Sequence, residues 1–135
     1  MKKTLTKMQK AFVEKDAESI EKLVVDTDFS KNGSFFVEIL CQLLEEDWHI
    51  EHEDIVSIFE DIREPKSIDA LYKTAQKKQF DYYIRDEDYP LARRCIWALW
   101  KIGTEEAIDK IRLLSTFDAE EVQKYAFKQL DRLKN

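Results

Sequence analysis

Glycine and proline are scarce: 135 residues hold only two of each. Tight hairpin turns use the positive φ of glycine and the rigidity of proline, so a chain of many short strands is excluded. The same shortage excludes glycine-rich phosphate loops and linker-like sequence. Long apolar runs are missing too. The longest, Phe35 to Cys41, is interrupted by Glu38, far short of the roughly 20 residues of a membrane-spanning helix. Met1-Lys2-Lys3 is followed by polar sequence rather than an apolar core, so no secretion signal is expected and the expected location is the cytoplasm. Cysteine is limited to Cys41 and Cys95. Both lie in apolar stretches, and without secretion they are expected as buried free thiols rather than a disulfide.

What is abundant is charge. Charged residues make up 37% of the chain against 44% apolar, with a net charge of −6. The acidic balance argues against nucleic acid or an anionic membrane as the partner. Its distribution is uneven. Residues 45–64 contain nine acids and one base, Arg63, so this one segment exceeds the whole net charge. A solvated helix face is one meaning of such a run. Steering of a basic partner is the other, since complementary fields speed association and reject wrong partners.

Helical periodicity runs through the chain. Leu5, Met8, Phe12 and Val13 predict a first helix over about 3–15. Asp16 is the expected cap of a second, with Ile20, Leu23 and Val24 inside. Ser30 to Ser34 reads as a loop, with Ser34 capping an almost wholly apolar helix from Phe35 to Leu44. Ile55, Ile58, Phe59 and Ile62 stripe a helix over about 51–63, and Pro65 starts the next. Pro90 opens a helix that Gly103 stops, and Thr104 caps its successor. Asp118 is expected to cap the last, whose inner residues read as Val122, Tyr125, Ala126, Leu130 and Leu133.

Two segments superpose without gaps at an offset of 40. Ile55, Phe59, Ile62, Ile68 and Leu71 fall on Cys95, Leu99, Ile102, Ile108 and Ile111, and Asp69 falls on Asp109. A further match at an offset of 31 places Cys95, Leu99 and Ile102 on Ala126, Leu130 and Leu133. A helical hairpin cannot bury its apolar face alone, so such repeats stack.

The stretch Ala92-Arg93-Arg94-Cys95-Ile96-Trp97-Ala98-Leu99-Trp100-Lys101-Ile102-Gly103-Thr104-Glu105-Glu106-Ala107-Ile108 resembles the HEAT-like repeat of the phycobilisome-lyase type. Trp48 to Val56, together with Tyr83 to Asp86, is similar to segments of a group of small bacterial HEAT-like proteins. The resemblance implies an all-α single domain. Its HEAT-like antiparallel hairpins, a short α-solenoid, would span 51–135, with a divergent helical N-terminal cap over 1–50. It also implies an immunity or adaptor protein, and with the acidic 45–64 segment the expectation is a non-catalytic, immunity-type module, a monomer when free, that occludes a basic toxin.

Glu53, Asp54, Asp61, Asp86 and Asp88 would supply charge to that partner, and Tyr82, Tyr83 and Trp97 apolar anchors. Asp69 and Asp109, at equivalent places on successive second helices, form a further expected contact surface. The resemblance leaves other roles open: a DNA glycosylase, a bilin lyase or a structural adaptor. The first needs a basic groove, for which Arg93, Arg94, Lys124 and Lys128 are the candidates. Arg93 and Arg94 can instead bond structurally to the adjacent unit or to Asp86 or Asp88.

His49, His52 and Glu53 fall at i, i+3 and i+4. They share a helix face that could hold a metal, but the order matches no zincin pattern. Hydrogen bonding and capping at a helix start is the preferred reading, so neither metal nor cofactor is expected. No serine sits in a nucleophile elbow and no lysine in a phosphate loop, so no catalytic residue is expected.

Overall fold

A computed structural model describes residues 2–78 and 88–134. Every regular element among them is helical. The α-helices are α1 (Lys2–Glu14), α2 (Ala17–Asp26), α3 (Val37–Leu44), α4 (His52–Ile62), α5 (Ile68–Ala75), α6 (Ala92–Ile102), α7 (Glu105–Leu114) and α8 (Glu120–Leu130). Short 3₁₀ turns occupy Gly33–Phe36, Pro65–Ser67 and Asp131–Lys134. No helix among the described residues is long and apolar enough to cross a membrane.

Several helix ends follow from single residues. Asp16 caps α2, its carboxylate accepting from the Ser19 N–H at 3.1 Å. Thr104 caps α7 through the Ala107 N–H at 3.2 Å. Gly103 ends α6 in the left-handed region at φ 69°, where only glycine avoids a Cβ clash. Two expected caps differ. Ser34 makes no cap and sits inside the 3₁₀ turn that leads into α3. Asp118 does not cap α8 either; the chain enters that helix through extended Ala119, with no side-chain cap bond.

α6 lies at the centre, packed against α4, α5, α7 and α8. α4, α6 and α8 form one row, and α5 and α7 form a second row against it. α1 packs on α2, and α3 joins them to α4 and α5. One continuous core results, holding Met8, Ile20, Leu40, Leu43, Ile55, Phe59, Leu71, Cys95, Leu99, Ile111 and Val122. Cys95 is fully buried as expected, whereas Cys41 is half-buried. Burial in apolar surroundings pushes the Cys41 thiol up to about 11 and the Cys95 thiol further, so both stay protonated at neutral pH.

The offset of 40 extends to the backbone. α4 and α6 each have 11 residues. Arg63 and Gly103 end them in the same left-handed conformation, their N–H groups returning to Phe59 and Leu99. His52, Ile55, Val56 and Phe59 are buried, as are Ala92, Cys95, Ile96 and Leu99. In α8 the buried positions are Val122, Ala126 and Gln129. At the offset of 31 these correspond to Leu91, Cys95 and Ala98, which are buried as well. Leu133, expected inside, is 49% exposed. Gln129 is thus a polar residue at a buried position of the third unit, where α6 has Ala98.

Candidate functional site: two grooves flanking an acidic helix

α4 divides its polar side chains between two directions. Glu53, Ser57 and Glu60 face α6: Glu53 pairs with the Arg94 Nε at 3.2 Å, Ser57 Oγ accepts from Arg94 at 2.6 Å, and Glu60 accepts from the Trp97 indole N–H at 2.8 Å. Arg94 thus bonds to the adjacent unit, one of its two expected structural roles. Asp54 and Asp61, seven residues apart on the helix, are exposed on its other side. Neither has an ion pair among the described residues.

On the Asp61 side lies a groove of about 590 Å³ between the end of α2, the 3₁₀ turn at Gly33 and the end of α4. Asp28, Asp61 and Glu64 supply its charge, and Val24, Phe29, Ile58 and Ile62 its apolar lining. Gly33 makes the close approach possible. A Cβ there would stand 2.6 Å from Ile62 Cγ2.

On the Glu53 side a second groove of about 510 Å³ runs between α4, α6 and α8. Arg93, Arg94, Lys128 and Arg132 line it beside Trp97 and Tyr125. The Lys101 Nζ and the Arg132 guanidinium lie 5.0 and 5.3 Å from the Trp97 ring centroid, within cation–π range. Gln129 also lines this groove, and its buried Oε1 has no hydrogen-bond partner among the described residues.

The expected contact residues therefore separate. Asp54, Asp61 and Asp88 are exposed. Glu53, Asp69 and Asp109 are engaged with Arg94, Lys110 and Arg112. Trp97 is half-buried in the second groove, and Tyr82, Tyr83 and Asp86 lie outside the described residues. Arg93, Arg94 and Lys128 do converge on one groove, while Lys124 is exposed and is not among its lining residues. Sequence reasoning missed Asp28, Phe29 and Glu64 in the acidic groove, and Gln129 and Arg132 in the basic one. The signal for the first was Gly33 inside a loop; for the second the apolar pattern offered none.

His49 hydrogen-bonds at the start of α4, as expected, and both histidines also close α3 from outside. His49 Nε2 donates to the Leu43 carbonyl at 2.7 Å, and its Nδ1 accepts from the Glu51 N–H at 3.0 Å. His52 Nε2 donates to the Glu46 carbonyl at 2.6 Å. His49 Nε2, His49 Nδ1 and His52 Nε2 thus face main-chain groups. Among the described residues, no group of three or more histidine, cysteine or acidic side chains is placed to hold a metal ion. Burial drives both imidazoles toward the neutral form, His52 down to about 4.

No protein-family model, curated protein or solved structure matches the chain. The residues themselves carry the functional reading.

Proposed function

We propose that the chain is a HEAT-like, non-catalytic protein-binding module of the immunity type, which holds a basic protein partner against the acidic face of α4. The two rows of helices, with matched left-handed helix ends at Arg63 and Gly103, support the HEAT-like reading, because stacked helical hairpins have this arrangement. The observation that carries the binding role is the acidic groove. Asp28, Asp61 and Glu64 surround Phe29, Ile58 and Ile62, and exposed Asp54 extends the charge along α4. Carboxylates around an apolar floor suit a partner offering lysine or arginine around an apolar anchor. The thiols favour binding over nucleophilic catalysis, since both are held protonated.

The test is affinity capture from the source organism with wild type and the Asp54→Lys/Asp61→Lys variant, followed by mass spectrometry. The wild type retains a basic protein at low salt and releases it at high salt, while the variant, still helical by circular dichroism, loses it. Co-expression of the captured protein with the wild-type chain then restores growth that the captured protein alone suppresses. Retention of the same partner by the variant refutes the acidic-face mechanism. Absence of growth suppression refutes the immunity role.

A further inference from the structure

The basic groove has a composition that the acidic-face reading does not use. Its two carboxylates are already engaged, Glu53 with Arg94 and Glu60 with the Trp97 N–H. Arg93 and Lys128 have no carboxylate at ion-pair distance among the described residues. Arg132 faces the Trp97 ring. The groove thus offers three cations that no neighbouring acid balances.

Gln129 adds a second, independent signal. It is only 9% exposed, and its Oε1 lacks a hydrogen-bond partner among the described residues. A buried acceptor without a donor destabilises the fold, and an apolar side chain there would avoid that cost. Gln129 lines the same groove as the cations, so a turn of its amide toward the groove would let a ligand N–H satisfy it.

The spacing of the cations selects the shape of the ligand. The start of α6 meets the start of α8, where the Tyr89 N–H donates to Glu121, and Trp97 further along meets Arg132 beyond the end of α8. The helices therefore run in the same direction. Arg93 lies one turn before Trp97, so helical rise places it about 6 Å from the level of Arg132 along the groove. An extended chain covers that distance in about two residues, so acceptors spaced along such a chain can meet both ends.

We propose that the groove between α4, α6 and α8 binds an extended acidic peptide segment of a partner protein. Carboxylates of the peptide meet Arg93 at one end and Lys128 with Arg132 at the other, and a main-chain N–H donates to Gln129 Oε1. A polyphosphate backbone fits less well, because it carries no N–H donor for the Gln129 acceptor. This site lies across α4 from the acidic groove and does not depend on it.

Fluorescence anisotropy of a labelled dodecapeptide of alternating glutamate and threonine, at low salt, tests the proposal. A labelled dodecathymidylate is the comparison ligand. Saturable peptide binding is expected, weakened about tenfold by Arg93→Gln with Lys128→Gln and not weakened by Asp54→Lys with Asp61→Lys. Gln129→Leu is expected to raise the urea midpoint while weakening the peptide several-fold, a combination that a purely structural glutamine would not give. Failure of the peptide to saturate, or equal binding by the Arg93/Lys128 variant, overturns the proposal. Tighter binding of the oligonucleotide with the same variant dependence reassigns the groove to nucleic acid and overturns it as well. Retained peptide affinity in Gln129→Leu overturns the role given to the amide.

Discussion

His49 and His52 stack face to face, with ring centroids 4.3 Å apart and planes 11° from parallel. Each donates from Nε2 to a carbonyl at or just past the end of α3. An α-helix leaves its last four carbonyls without internal partners. His49 adds a side-chain donor to the Leu43 carbonyl, which also accepts from the Glu46 N–H at 3.1 Å, and His52 supplies one to the Glu46 carbonyl. The two rings cannot both be charged at this distance, since two imidazolium ions repel, and burial favours the neutral form of each.

That relationship makes stability depend on pH. The His52 imidazole titrates at about 4 in the folded chain, against an ordinary value of 6.5. Its contribution is therefore complete above the unfolded value and is lost as pH falls through this interval. Between pH 7 and 5 the loss from His52 is about 2 kcal/mol, and His49, shifted the same way, adds to it. Glu51 opposes the trend. Its carboxyl is raised by burial and by Asp54 and Glu21, so it takes up a proton in the folded chain first as pH falls. The net expectation is a urea midpoint that drops from pH 7 to 5, with a shallower slope in His52→Gln. A flat wild-type profile over that range would show that the rings are not held neutral.

The paired helix ends give a prediction of opposite signs. Arg63 and Gly103 both adopt positive φ, at 50° and 69°. A side chain in that region costs roughly 1–2 kcal/mol. Gly103→Ala is expected to destabilise by about 1 kcal/mol. Arg63→Gly is expected to stabilise by up to about 1 kcal/mol. Chemical denaturation of the two variants decides the matter, and a destabilised Arg63→Gly would mean that the arginine side chain outweighs the backbone strain.

Gly33 governs the acidic groove. Gly33→Ala must displace Ile62, whose Cβ and Cγ2 lie 3.1 and 2.6 Å from the added carbon. Overpacking of this kind costs about 1–3 kcal/mol. The expected outcome is a lower melting temperature, with Ile62→Val recovering part of the loss. An unchanged melting temperature would show that the turn moves freely away from α4.

The thiols separate by accessibility. Cys41 is half-buried with a thiol raised to about 11, and Cys95 is sealed in the core. Iodoacetamide at pH 7.5 should modify Cys41 more slowly than free cysteine, because little thiolate is present. Cys95 should react only after denaturant is added. Mass spectrometry of the alkylated protein counts both events, and rapid native labelling of Cys95 would contradict its burial.

Much of this was legible before any coordinates. The apolar stripes place α1, α4, α6 and α7 within a residue or two, since amphipathic spacing and burial are the same property seen twice. The repeat at an offset of 40 is legible for the same reason. Gln129 was not, because a pattern of apolar residues has no place for a buried polar one. The capping roles given to Ser34 and Asp118 failed because a residue that can cap does so only where the backbone enters the helix at its position. The site residues were readable only by type. Glu53 and Asp54 are sequence neighbours of equal charge, yet the helical turn between them points one into an ion pair and the other into solvent.

Lys77 adds a last consequence. Its ammonium donates to the Leu44 carbonyl at 2.8 Å, across 33 residues of chain. Arrays of stacked hairpins can melt unit by unit, since each touches only its neighbours. Here the end of α3 is held by a lysine beyond α5 and by two histidines leading into α4. The first helices therefore unfold together with the later ones, as one cooperative block rather than as a fraying end.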